Sequence, residues 1–412
     1  MTQTPEQPSA ADAPSGLSKV WRWIKRGALG TAVVLGVLLA IGLAQAWVPM
    51  GGAPSPERAA RMAKSPNSKD GIFVNKQALW NDVWGSIASI FEKSPVSAPD
   101  GPLPVATDTA ERLAKPPQTP LRVTWLGHST VLFELDGKRI VTDPIFGRAP
   151  FPVPALGPQR WYEPPLALEK LQDVDAVLIS HDHYDHLDHP TIAQMSQWDT
   201  TFITPLGVGA HLEYWGVDPS KIIELDWWDE HKIGPVRIVA TPSRHASGRH
   251  LTDQNRTLWA SYAILGSERR VMFSGDTGLH DDMRTIGERF GPFDLVMIEV
   301  GAYHKTWPDW HIGPEQAIVG HQMMKGKLFV PIHWGLFDLA SHGWTEPIER
   351  VWVAAEKAKA TFATPRPGQV MDIDAPPQPE RWWPDVPWKT AQEDPLISTL
   401  GGDPNKRYAP TP

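Results

Sequence analysis

The sequence predicts an α/β domain of two facing sheets with helices outside, preceded by an apolar helix long enough to cross a bilayer. Three observations predict it. Short β-like apolar runs alternate with helix-period segments through residues 121–373. Several of those runs end in histidine or aspartate, as expected of a site built at the mouth of a sheet. An uncharged stretch from Gly27 to Val48 follows the basic residues Lys19, Arg22, Lys25 and Arg26.

Residues 1–26 read as a disordered cytoplasmic tail, rich in Pro, Ala and Ser as far as residue 18. Residues 27–48 follow as a transmembrane anchor. The basic flank keeps the N-terminus cytoplasmic and puts the rest of the chain on the other side, the periplasm in a bacterium. Ala44-Gln45-Ala46 resembles a signal-peptidase site, so a cleaved and secreted form is the alternative. The long polar region before the apolar run favours the retained anchor.

Residues 49–120 are expected to hold an amphipathic segment and a linker. Leu79, Trp80, Val83, Trp84, Ile87, Ile90 and Phe91 share one helical face, opposite Asn81, Asp82, Ser86 and Glu92. That face either packs on the globular domain, the commoner outcome, or lies in a membrane interface. Residues 95–120, rich in Pro, Ala and Thr, read as the linker.

The domain of 121–373 opens with strands over 122–135 and 138–142, turned at Asp136-Gly137. Further strands are expected at 174–179, 202–204, 236–240, 259–265, 270–274, 295–298 and 328–331. Helices are expected at 281–290, 314–325 and 346–360. No internal repeat is visible. Residues 374–412 form a Pro- and Trp-rich tail with Arg381-Trp382-Trp383-Pro384, which wraps the domain or touches membrane.

Composition narrows the chemistry. A net charge of −8 over 412 residues offers no basic footprint for nucleic acid. The absence of cysteine excludes disulfides, thiol nucleophiles and a lipoprotein anchor. Twenty tryptophans suit surfaces that are half apolar and half wet, lipid headgroup regions among them.

The densest signal is His181-Asp182-His183-Tyr184-Asp185-His186, three imidazoles and two carboxylates in six residues, directly after an apolar run. Imidazole and carboxylate without thiolate suit zinc or another borderline divalent ion; manganese and iron are also tolerated. His245 in Thr241-Pro242-Ser243-Arg244-His245, Asp276 in Ser274-Gly275-Asp276-Thr277-Gly278 and His333 in Pro331-Ile332-His333-Trp334-Gly335 each follow another apolar run.

His-x-His-x-Asp-His, with these three later residues in order, resembles the metallo-β-lactamase superfamily over roughly residues 120–373. The resemblance implies a four-layer αββα sandwich. It also implies two metal ions, one held by His181, His183 and His245 and the other by Asp185, His186 and His333, with Asp276 bridging. A bridging carboxylate keeps such ions about 3.5–4 Å apart, close enough to share an activated water. Two zinc ions are the expected cofactor.

Thr124-Trp125-Leu126-Gly127-His128-Ser129-Thr130, Thr142-Asp143-Pro144-Ile145-Phe146, Gly157-Pro158-Gln159-Arg160 and Gly301-Ala302-Tyr303 narrow the resemblance to the N-acylphosphatidylethanolamine-hydrolysing phospholipase D group. That implies a phosphodiesterase, attack of metal-bound hydroxide on phosphorus, a phospholipid substrate and a homodimer; with the apolar helix, the enzyme is expected to be membrane-anchored. Glu299 stands where the group has proline, and His304 to Trp310 also departs from it. Two alternatives stand beside this reading: a lactonase or other carbonyl-centre hydrolase on the same metals, and a non-catalytic membrane-tethered binding protein.

Asp185, Asp276 and His311 are the catalytic candidates. Asp143 is the first candidate to orient a liganding histidine, unless it only makes an Asp-Pro turn. His128 either faces the site or packs beside it, and His311 either faces the phosphate or leaving group or is solvated. Tyr303 completes the candidates for supporting or contacting the substrate.

Overall fold

The computed structural model describes residues 16–89 and 91–411. The tail expected over residues 1–15, and Ile90 of the apolar stripe, lie outside the described residues. The chain forms two compact units that meet in sequence between Val48 and Pro49.

The first unit is one helix, Gly16–Trp47. Its segment Trp23–Trp47, 25 residues containing an 18-residue window of mean hydropathy 2.3, is long and apolar enough to cross a bilayer, a property shared with signal sequences. The disordered tail expected through residue 26 is corrected, because the helix already includes residues 16–26. No proline or glycine interrupts residues 17–26, and extending a formed helix avoids a second nucleation.

In the second unit a small hairpin, β1 (Ser68–Lys69) and β2 (Ile72–Phe73), precedes a sandwich of two seven-stranded sheets. In chain order the sandwich strands begin with β3 (Leu121–Gly127), β4 (Thr130–Leu135), β5 (Lys138–Thr142), β6 (Ala176–Leu178), β7 (Thr201–Pro205) and β8 (Ile222–Leu225). They continue with β9 (Glu230–Ile233), β10 (Val236–Thr241), β11 (Ser261–Leu265), β12 (Arg270–Phe273), β13 (Phe293–Glu299) and β14 (Gly326–Ile332), then β15 (Thr361–Phe362) and β16 (Val370–Asp372). The first sheet runs β16-β3-β4-β5-β6-β7-β8 and the second β15-β14-β13-β12-β11-β10-β9.

In both sheets three antiparallel pairings are followed by three parallel ones. The fold therefore repeats a pattern where the sequence shows no repeat, because backbone pairing constrains side chains only loosely.

The expected strand over 122–135 is broken in the structure. Gly127 (φ +112°) and His128 (φ +52°) turn the chain between β3 and β4, and the Trp125 indole closes the turn on the His128 carbonyl at 2.8 Å. Strand residues alternate between two apolar layers. Ala176 and Leu178 join the layer between the sheets, while Val177 joins the one outside the first sheet. Burial on both faces explains why these strands read as unbroken apolar runs. The short helices His189–Met195 and Gly209–Tyr214 bury Ile192, Met195 and Leu212 in that outer layer. Helix Pro314–Met323 packs on β13 and β14, with Asp282–Phe290 and Glu346–Ala358 against it.

The segment before β3 is more than a linker. Arg58 is buried against Glu213 (2.6 Å) and Glu224 (2.9 Å), Phe73 enters the core, and Thr109 donates to the Gly368 carbonyl at 2.8 Å. The apolar stripe behaves contrary to its commoner expectation. The helix there is only Val83–Ser89, and Trp84 and Phe91 are 81% and 88% exposed. Its polar side docks instead: Asp82 N–H donates to the Thr306 carbonyl and Ser86 meets the Thr306 hydroxyl.

The C-terminal tail wraps the domain. Trp382 stacks on Trp334, and the hairpin β17 (Thr399–Leu400) and β18 (Asp403–Arg407) is pinned where Thr399 N–H donates to Asp309 at 2.8 Å.

Candidate metal centre

The first sheet delivers the dense cluster. Beyond β6, Ile179 N–H still bonds to β7, and Ser180 N–H donates to Asp143 Oδ1 at 2.7 Å, so the chain leaves the sheet held at both sides. A turn returns the N–H groups of His186 and Leu187 to the His183 carbonyl. Asp188 then caps helix His189–Met195 and ends the loop.

Three imidazole nitrogens converge there. His183 Nδ1 is 2.9 Å from His181 Nε2 and 3.2 Å from His245 Nε2. Nitrogens bound to one tetrahedral zinc are themselves about 3.3 Å apart, close to both of these spacings. Beside it, His333 Nε2 lies 3.2 Å from Asp185 Oδ2 and 3.2 Å from Asp276 Oδ2. His186 Nε2 lies 3.4 and 3.1 Å from the same two oxygens. Asp276 Oδ2 is also 3.9 Å from His181 Nε2 and 3.8 Å from His245 Nε2, so one oxygen faces both groups. All seven expected ligands are thus brought together.

The polar atoms at this centre test whether cations fit. Both oxygens of Asp276 and Nε2 of His186 are buried without a hydrogen-bond partner among the described residues, a costly state that a bound ion would relieve. Burial opposes charge on Asp185 and Asp276. The facing imidazoles, His186 foremost, outweigh it and hold both carboxyls well below the usual range. Burial equally disfavours a cation on His333, yet the carboxylates, Asp276 foremost, push it up to about 10. This half of the centre attracts positive charge. Burial keeps His181 and His245 well below the ordinary histidine range, and lowers His183 too, leaving neutral rings of the kind metals bind. Oxygen and nitrogen donors in this proportion fit borderline divalent ions.

Supporting contacts fix the rings. Asp143 accepts from His186 Nδ1 at 2.8 Å and from the Ser180 hydroxyl at 2.6 Å, so it orients a candidate ligand and is not merely a turn residue. His245 Nδ1 donates to the Trp310 carbonyl at 2.7 Å. His128 faces the site: its Nε2 donates to Asp185 Oδ2 at 3.1 Å, and burial holds its pKa down to about 3. His128 (φ +52°), Asp143 (φ +35°) and His333 (φ +62°) all occupy left-handed backbone, strain gathered at one place. Gly275 (φ +54°) is required beside Asp276, because a Cβ there would lie 2.4 Å from the Ser180 Cβ.

His311 sits over the centre with its side chain 15% exposed, Nδ1 being 3.7 Å from Asp276 Oδ2 and 2.7 Å from Glu299 Oε2. Burial lowers its pKa to about 4. His183, Asp185 and His311 are the partly exposed members of the group, so the centre opens to solvent on their side.

Tyr303 is corrected. It is buried with its hydroxyl on Glu346 at 2.7 Å and its ring stacked on His342, because a buried phenol needs a hydrogen-bond partner and helix Glu346–Ala358 supplies it. Asp182 also points away, accepting from Gly248 N–H and Thr257, and so staples the cluster to residues 248–257.

Two participants were missed in the sequence. Asn75 brackets His245, donating to its carbonyl at 2.7 Å and accepting its N–H at 3.1 Å. Glu299 is fully buried among Thr277, His311 and His333. A charged residue closing the apolar run of β13 was the available signal for Glu299. Nothing local marks Asn75.

A family model described as a beta-lactamase superfamily domain matches residues 138–334. An uncharacterised protein of Mycobacterium tuberculosis is 42% identical over 346 residues, covering 81% of this chain and 91% of that one. N-acyl-phosphatidylethanolamine-hydrolyzing phospholipase D 1 of Caenorhabditis elegans is 35% identical over 333 residues, covering 73% of this chain and 92% of that one. Among solved structures, a metallo hydrolase of Ignicoccus hospitalis aligns with TM-score 0.46 and 21% identity over 61% of this chain and 97% of that one.

Proposed function

We infer, for a chain that belongs to the metallo-β-lactamase superfamily and is a metal-dependent hydrolase, a dinuclear zinc phosphodiesterase of phospholipase D type acting on N-acylphosphatidylethanolamine-like lipids. One observation carries it: Asp276 Oδ2 lies 3.1–3.9 Å from the nitrogens of His186, His333, His245 and His181, the placement of a carboxylate shared by two ions. The lipid substrate is supported by the nematode relative's name. The N-terminal helix supports a chain tethered in the membrane with this unit on its non-cytoplasmic side.

Bound at this site, two cations would activate a water and neutralise the oxygens of a phosphoryl group. The chain's own residues do the rest. Asp143 and the Trp310 carbonyl fix the His186 and His245 rings, and Asn75 holds the His245 backbone. His128 holds Asp185. His311, at the mouth, meets the phosphoryl or leaving oxygen.

Purified full-length protein, its metal measured by mass spectrometry, is offered N-palmitoylphosphatidylethanolamine in mixed micelles and, separately, a lactone. Two zinc ions per chain with release of phosphatidic acid and N-palmitoylethanolamine are expected. Turnover of the lactone alone at full zinc occupancy would make it a carbonyl-centre hydrolase.

A further inference from the structure

Glu299 ends β13 with none of its surface in solvent. The four residues before it, Leu295 to Ile298, are all apolar, and a fifth apolar side chain would fill the position at lower cost. A carboxyl group stands there instead, beside the buried Asp276. Its oxygens are divided. Oε1 accepts the N–H of Thr277, the peptide that follows Asp276, and Oε2 lies 2.7 Å from His311 Nδ1.

His311 needs such a partner. It lies in the irregular connection between β13 and helix Pro314–Met323, so no ladder or helix fixes its ring. Glu299 is the side chain that holds Nδ1, and Nε2 has no protein partner among the described residues. Its side chain is 15% exposed against 1% for Asp276 and His333. An imidazole clamped at one nitrogen presents the other in a set direction.

We propose that Glu299 is the positioning residue for His311, clamping Nδ1 so that Nε2 is presented to substrate at the mouth of the metal centre. This rests on the phosphodiesterase reading only in the identity of the substrate that His311 meets. Glu299 is fully buried and acts through the ring it holds.

The test is a double-substitution cycle on zinc-loaded full-length protein, with N-palmitoylphosphatidylethanolamine as probe. Glu299→Leu should lower kcat by about 10–100-fold with KM and zinc content little changed. Glu299→Gln, whose amide oxygen can still accept from Nδ1–H, should recover most of that loss. In a His311→Ala background Glu299→Leu should add less than about threefold, because two residues acting as one unit are not additive. An equal loss in both backgrounds, or a loss that tracks released zinc, overturns the proposal.

A second arm needs neither turnover nor the Leu variant. In 15N-histidine spectra of the loaded protein, a His311 Nδ1 resonance that moves on Glu299→Gln supports the clamp, and one identical in both overturns it. If the wild type cleaves no phosphodiester while the resonance moves, the function reading fails and the clamp stands.

Discussion

The two sheets share one pairing pattern and divide the metal centre unequally. The loop after β6 of the first sheet supplies four donors within six residues, His181 to His186. The second sheet supplies one at a time, His245 after β10, Asp276 after β12 and His333 after β14. Concentrated donors share one backbone path and one set of supports, chiefly Asp143 and Ser180. Dispersed donors need separate support, found for His245 in Asn75 and the Trp310 carbonyl and for His333 in the His128 carbonyl that accepts its N–H. One scaffold can therefore carry a site that is locally encoded on one side and assembled by tertiary contacts on the other.

Asp276 joins the two sides, and its loss should cost most. Asp276→Asn should reduce turnover at least about a thousandfold and release zinc, as measured by initial rates and metal content. A variant retaining its metal and activity would mean that the halves work separately.

Asp143→Ala tests the concentrated side. It leaves His186 Nδ1 and Ser180 without their acceptor inside a buried cluster. Zinc affinity should fall about 10–100-fold in chelator competition. Asn75→Ala tests the dispersed side, where the expected loss of zinc affinity is about tenfold with about 1–3 kcal/mol of stability, read by denaturant melts. An unchanged affinity would mean that the segment before β3 is only covering.

Metal-free protein should show a pH dependence of its stability. The pKa of His333 is raised from 6.5 to about 10 in the fold, so its contribution is complete below pH 6.5 and lost as pH rises toward 10. Burial lowers His128 and His280 to about 3, so their contributions are complete above pH 6.5 and lost as pH falls below it. Thermal melts of the metal-free form should weaken from pH 6.5 upward. Zinc loading should remove that slope, because the ion replaces the His333 proton.

Much of this was legible beforehand. β10 and β14 lie where the apolar runs place them, and the seven ligand candidates converge. Strands β8 and β9 were not anticipated, because Ile222–Leu225 and Glu230–Ile233 mix charge with partial exposure and lack the unbroken apolar run of the buried strands. Tyr303 was misjudged because its place after a strand end says nothing of the direction its side chain takes. Trp84 and Phe91 share a face with helical spacing, yet what covers a stripe depends on elements far away in the chain.

By itself the sequence determined the local features: the apolar helix, the strand-ending donors and the histidine-rich loop. Periodicity and neighbouring residues act over a few positions, so they survive reading in one dimension. Only the tertiary structure decided that Asn75 holds His245 from 170 residues away, that Glu299 meets His311, and that both ends of the unit wrap the sandwich. Those contacts are one or two hydrogen bonds each between separate segments, whose partners are chosen by how the two sheets pack and carry no period along the chain.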